Sequence, residues 1–455
     1  MFDKIAGSMY LPISLLFFCL SYIYFFPSMW MITDAYSYST QALAFASGNL
    51  QYLQNDFLTG ETININRAPY NLGNACYLSF FVFIFGAKHI FMQLLRNWNL
   101  PKGALAILFV SAPILFFSRC LMSCMPSLLV ISCFMSLFTK EHKGFRDILL
   151  LGFLAGLSTW LRETNIVITG LMCLYLLMKQ PNRFWLLLFG GILGVTIRLV
   201  SSYVVYGQIF FVSASSGFSL ESLIHHIPLY LFMSIILVPL GLISSISMKE
   251  QADKLFIILT ILFLILYSGY NYTAVEYSGF LKGSLLTSRF IIPWIPLAIV
   301  GTGFAMLRYN YFEKIMRYCI IPFSLLLIPI SQYVINKLYN SHENAAKQLS
   351  EKYEHAHIVY DQSGFTNIIR YINPLTGEWK QTADIPSLER YLTDPASLKK
   401  DLAAPIFLIL SMGDETEAKR NRSNTIKDKI PTKFVDLVDT FPINESNRLE
   451  VYKLK

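Results

Sequence analysis

Charged side chains are scarce through most of this chain and cysteine is missing from its last quarter, and each shortage excludes something. Only 15% of the 455 residues are charged, against 54% hydrophobic and 15% aromatic, with a mean hydropathy of +0.47. That balance excludes an ordinary soluble domain and defines a polytopic α-helical membrane protein. All seven cysteines (Cys19, Cys76, Cys120, Cys124, Cys133, Cys173 and Cys319) lie in or beside apolar runs. A disulfide framework or a CxxC metal site in the tail is thereby excluded. No Walker loop, internal repeat or low-complexity tract occurs, so nothing indicates energy drawn from ATP. His225 and His226 stand together without an acidic cluster, which falls short of a metal site.

What is present is a succession of apolar runs. A hydrocarbon core roughly 30 Å thick takes about 20 apolar residues per helix. Runs of that kind recur at 9–32, 73–95, 103–118, 121–138, 148–161, 165–178, 184–206, 227–247, 255–270, 289–307 and 319–335. The expectation is about eleven transmembrane helices over residues 1–335. The first run is too long and too aromatic for a removable signal peptide, and it lacks a small-residue cleavage site.

Lys and Arg resist translocation, so their loops set the orientation. Lys4, Arg96, Lys102, Lys140, Lys143, Arg146, Lys179, Arg183, Lys249, Lys254, Arg308, Lys314 and Arg317 fall on one side if the N-terminus is cytoplasmic. The opposite loops hold only Arg67, Arg119, Arg162, Lys282 and Arg289. An odd number of spans then exports the C-terminal segment.

That segment, 336–455, is a second domain by composition. It carries 17 basic and 17 acidic residues, so the net charge of +8 resides in the membrane half. The charge reports topology and contact with anionic membrane lipids, and makes no case for nucleic acid. Strand-like "HIVY", "PIFLIL", "KFVDLVDTF" and "RLEVYKL" alternate with helix-like "HENAAKQLSEKYEH" and "GFTNIIRYI", the pattern of a soluble extracytoplasmic α/β domain.

The first outer loop, 33–72, is long for a membrane connector. Thr33 or Asp34 can cap a helix that places Ala35, Tyr38, Ala42 and Phe45 on one face and ends at Gly48-Asn49. Such a helix lies on the membrane surface. "NINRAPYNLG" then returns Arg67, Pro69 and Tyr70 to the same interface before the second span.

These residues resemble the GT-C glycosyltransferases, in particular the branch holding protein O-mannosyltransferases and aminoarabinose-to-lipid A transferases. In that family an Asp follows the first transmembrane helix, and an R/K-x-P-hydrophobic element precedes the second span. Here Asp34 with Tyr36 or Tyr38, and the "RAPY" of 67–70, resemble those elements. "GFLAGLSTWLRETN" at 152–165 and "SRFIIPWIPLAI" at 288–299 resemble two further family segments. One position departs: "RCLMSCMPSLLV" at 119–130 puts Cys124 where related sequences carry Asp. A two-carboxylate site for a divalent metal is therefore disfavoured, and no cofactor is expected.

The resemblance implies transfer of a sugar from a polyprenyl-phosphate donor to a glycan, lipid or protein acceptor at the outer face of a bacterial or archaeal plasma membrane, with inversion at the sugar carbon. Asp34 is the expected general base. Arg67, Arg162 and Arg289, with Lys282, are the expected ligands of the donor phosphate, because guanidinium groups hold phosphate bidentately without deprotonating. Tyr36, Tyr38, Glu163, Arg198 and Glu276 are supporting candidates, Glu163 and Glu276 as acids that could stand in for the missing Asp.

Each residue also has a plainer reading. Asp34 also suits capping alone, Arg67 snorkelling, Arg289 marking the start of a span, and Arg162 with Glu163 a mutual ion pair. Arg198 lies inside the seventh apolar run and needs a partner, either a lipid phosphate or an acid such as Asp34. The rival functions are a secondary transporter or lipid flippase, and a non-catalytic GT-C homologue.

Overall fold

The structure, a computed structural model, describes residues 10–24, 53–55, 62–64, 102–117, 123–140, 142–209, 217–238, 242, 251–275, 280–335, 345, 348–349, 351–353, 356–360, 382–384, 405–413, 435–442 and 447–454. Two compact units divide the chain, one of Met1–Phe26 with Pro69–Gln332 and one of Pro27–Ala68 with Tyr333–Lys455.

The first unit is helical. Its described helices are α1 (Tyr10–Tyr24), α2 (Ala106–Val110), α3 (Ala112–Phe117), α4 (Cys124–Phe138), α5 (Phe145–Leu161), α6 (Ile166–Lys179) and α7 (Phe184–Tyr206). They are followed by α8 (Leu220–Phe232), α9 (Gln251–Ser268), α10 (Phe280–Thr287), α11 (Ile295–Arg308) and α12 (Asn310–Ile335). Helix therefore occupies every expected span that falls within the described residues. The expected span at 73–95 and the surface helix after Asp34 lie outside them.

Two helices among the described residues are long and apolar enough to cross a bilayer: Pro181–Tyr206 and Leu220–Leu237. A third span forms if Gly283–Phe290 and Ile292–Arg308 are counted as one path bent by 51°. The 26 residues of Pro181–Tyr206 extend about 39 Å at 1.5 Å per residue. Along α7 a broad apolar face including Trp185, Phe189, Ile192 and Tyr203 is exposed, as a lipid-facing helix requires.

The opposite face of α7 carries Gly190 and Gly194, and α5 carries Gly152 and Gly156. Both pairs have the four-residue spacing that stacks small residues on one helix face. A Cβ on Gly152 would meet the Leu187 carbonyl, one on Gly156 the Gly191 carbonyl, and one on Gly194 the Phe153 carbonyl. The two backbones thus touch directly. Residue numbers rise together across the contact, so α5 and α7 run parallel, with α6 returning between them. Beyond the glycines the pair is closed by Trp160, whose indole N–H donates to Ser201 Oγ at 2.9 Å.

Elsewhere in this unit the core is aromatic and aliphatic. Trp294 is fully buried, and its indole N–H donates to Thr260 Oγ1 at 3.1 Å. Phe18 of α1 meets Phe109 of α2 edge-on at 5.8 Å.

The second unit holds two sheets. β1 (Leu53–Asn55) and β2 (Thr62–Asn64) form an antiparallel pair. The larger sheet comprises β3 (His357–Tyr360), β4 (Thr382–Asp384), β5 (Ile406–Gly413), β6 (Val435–Pro442) and β7 (Asn447–Leu454), in the order β4-β3-β5-β7-β6. β3 runs parallel to β4 and β5, while β7 is antiparallel to β5 and β6. Each of the four strand-like segments read from the tail contributes a strand, and β4 is an addition. Period-2 alternation presents Phe407, Ile409, Leu449 and Val451 to one face, where Ala345, Leu349 and Tyr353, spaced by helical turns, cover them.

Candidate functional site

Several helix ends of the first unit meet around Phe290. α5 stops at Leu161, and Arg162 is extended, with φ −161° and ψ 124°. Extended residues send successive side chains to opposite sides. Arg162 and Glu163 accordingly diverge, and the mutual pair offered by their adjacency does not form.

Arg162 turns inward. Its guanidinium lies over the Phe290 ring at 4.7 Å and the Tyr267 ring at 5.8 Å. One Nη donates to the Arg289 carbonyl at 3.4 Å, across 127 residues of sequence. Arg289 brings its own guanidinium over Phe290 at 5.1 Å and over Tyr272 at 5.4 Å. Two cations therefore share one phenyl ring. Among the described residues no carboxylate pairs with Arg162. Cys124 is buried at the start of α4, and Tyr230 of α8 is fully buried.

Glu163 turns the other way. Its Oε1 accepts from Arg198 Nη2 at 2.8 Å, in a half-buried ion pair. Among the described residues, a partner that Arg198 meets within its apolar run is thus Glu163; Asp34 lies outside them.

A short bridge fixes the aromatic wall. Phe218 pairs with Tyr270, Ser219 N donates to the Gly269 carbonyl at 2.9 Å, and Asn271 N donates to the Gly217 carbonyl at 3.0 Å. Gly217 has φ +83°, a conformation that favours glycine. His226 Nδ1 lies 3.1 Å from the Tyr270 carbonyl, and Ser222 donates to Asn271 Oδ1 at 2.8 Å. Tyr270 and Tyr272 then meet Phe290 edge-on at 5.6 and 6.1 Å. Tyr267 stacks on Phe290 at 5.3 Å, and its hydroxyl shares a hydrogen bond with Thr164.

Below Arg162, Asn165 donates to Ser127 Oγ at 2.9 Å and to the Ser158 carbonyl at 3.0 Å. These bonds tie the end of α5 to α4. Among the described residues the Asn165 Oδ1 and the Tyr230 hydroxyl are buried without a hydrogen-bond partner.

The structure therefore brings Arg162, Arg289, Glu163 and Arg198 to one end of the helices. Lys282 has its backbone on α10, two turns before Arg289. Asp34, Tyr36, Tyr38, Arg67 and Glu276 lie outside the described residues. Tyr230, Tyr267, Tyr270, Tyr272 and Phe290 were not singled out from sequence. The cue was available in "YSGYNY" at 267–272, a knot of tyrosines just past an apolar run.

No family model matches the chain, and no curated protein matches it. Two crystal structures of ArnT from Cupriavidus metallidurans share its fold. One, bound to undecaprenyl phosphate, aligns at TM-score 0.53 with 11% identity over 97% of both chains. The other, in the apo state, aligns at TM-score 0.56 with 11% identity over 98% of this chain and 97% of that one. The chain therefore shares its fold with ArnT over nearly its whole length.

Proposed function

We propose that this protein is a glycosyltransferase that moves a sugar from a polyprenyl-phosphate donor to an acceptor at the outer face of the membrane. The observation that carries the reading is the pair of guanidiniums on one phenyl ring, Arg162 at 4.7 Å and Arg289 at 5.1 Å. Two cations held together on an aromatic support, one of them with no carboxylate partner among the described residues, suit a phosphate better than any protein group. The ArnT structure that holds undecaprenyl phosphate supports the same donor class.

In the proposed reaction the acceptor hydroxyl attacks the anomeric carbon. The bond from that carbon to the phosphate oxygen breaks, and polyprenyl phosphate departs with the electron pair. Asp34 takes the hydroxyl proton. Arg162 and Arg289, joined by Arg67 and Lys282, stabilise the charge gathering on the phosphate as it leaves. About eleven spans would carry this site, with the N-terminus cytoplasmic and the C-terminal domain exported.

Cys124 favours one second reading, a homologue that binds donor without transferring sugar. It is buried at the start of α4, at the position where the resemblance leads one to expect a second acid. Sugar transfer from a radiolabelled polyprenyl-phosphate donor, with wild-type and Asp34→Asn protein in membranes, separates the readings. Turnover by the wild type that falls by about 100-fold or more in the variant is the expected result. Unchanged turnover removes Asp34 from the mechanism, and donor binding without any turnover leaves the non-catalytic reading.

A further inference from the structure

The glycine stripe of α7 does not end at Gly194. Gly190, Gly194 and Arg198 follow one another at intervals of four, so Arg198 lies on the face that packs against α5. The parallel pairing carries that face one turn beyond the end of α5, where the extended backbone at Arg162 has sent Glu163 outward. Arg198 and Glu163 meet there at 2.8 Å, while Arg162, one residue earlier, rests on Phe290 and Tyr267.

A carboxylate adjacent in sequence to a phosphate-binding arginine competes with the phosphate. Where water is thin that competition is strong, because Coulomb interactions are weakly screened. We infer that Arg198 is a positioning residue for the donor: by engaging Glu163 it keeps that acid away from Arg162, which stays open to an anionic lipid headgroup. This rests on the reading of Arg162 as a phosphate ligand. Arg198 itself need not touch the donor. Its role is exerted through the acid, so removing the acid should remove the need for Arg198.

The test is equilibrium binding of undecaprenyl phosphate to the full-length protein in lipid nanodiscs. Arg198→Met should weaken binding about tenfold, a difference of about 1.4 kcal/mol. The double variant Arg198→Met/Glu163→Gln should return to within about twofold of wild type, and Arg198→Lys should retain most of the affinity. Wild-type affinity in Arg198→Met overturns the inference. So does a double variant as weak as the single, because Arg198 would then act by its own contact or packing. Should Arg198→Met fail to fold, Glu163→Gln alone decides: binding at least as tight as wild type supports the inference, and clear weakening overturns it. Arg162→Met separates this failure from that of the underlying reading. If it binds undecaprenyl phosphate like wild type, the phosphate assignment falls; if it weakens binding while Arg198→Met does not, only the role of Arg198 falls.

Discussion

Arginine is used in opposite ways in the two units. In the sheet of the second unit, Arg448 serves a buried acid: its Nε and Nη2 donate to Glu450 Oε1 at 2.9 and 2.8 Å, and the Tyr452 hydroxyl takes the other oxygen. Glu450 is buried, and both of its carboxylate oxygens accept hydrogen bonds. In the first unit, Arg162 is half-buried on aromatic rings and, among the described residues, meets no carboxylate. The acid beside it in sequence is committed to Arg198. A satisfied buried charge is structural, and its removal harms folding; a buried charge left open is an invitation to a ligand.

The sharpest way to break this contrast is Arg162→Met. Transfer from a polyprenyl-phosphate donor should fall by about 100-fold or more, while stability in detergent changes by less than about 1 kcal/mol, the scale of the lost stacking. Loss of stability matching the loss of activity would make Arg162 structural after all.

Arg448→Met should do the reverse. It leaves the Glu450 carboxylate in the sheet with fewer donors, at a cost of about 1.5–3 kcal/mol. Hydrogen exchange in Asn447–Leu454 should accelerate accordingly, and donor binding should be unchanged.

Gly194→Leu tests what places Arg198 at all. Its side chain would collide with the Phe153 carbonyl of α5, forcing the helices apart at a cost of about 1–3 kcal/mol. Donor binding should weaken with it if the ion pair depends on this contact.

The smallest effect concerns pH. Burial works to raise the Asp439 carboxyl, but hydrogen bonds from Lys352 and Tyr353 outweigh it and hold the group below its ordinary range. A carboxylate depressed in the folded state contributes stability that is fully present above its unfolded value and is lost as pH falls through the folded one. Protection of Val435–Pro442 against hydrogen exchange should therefore decline in acid relative to Asp439→Asn at the same pH.

Much of the scaffold could be read from the chain. "HIVY", "PIFLIL", "KFVDLVDTF" and "RLEVYKL" became β3, β5, β6 and β7 because alternation and β-branched content act locally. β4 escaped notice because "TAD" is three residues long and carries no such pattern. The partner of Arg198 was hidden for a different reason. It depends on two helices lying parallel at backbone contact, which is set by glycines on both and by the return of α6. The meeting of Arg162 with Arg289 is likewise a long-range event, spanning 127 residues. Sequence named both residues but not the ring between them. Asp34 and Arg67 were named on the same grounds, and they lie outside the described residues.

Direct backbone contact between α5 and α7 has a mechanical consequence. With no side chains between them at Gly152, Gly156 and Gly194, the two helices have nothing to slide on and bend as a single stiff beam. A load on the exposed flank of α7 is therefore shared with α5, whose end lies beside the Arg198–Glu163 ion pair.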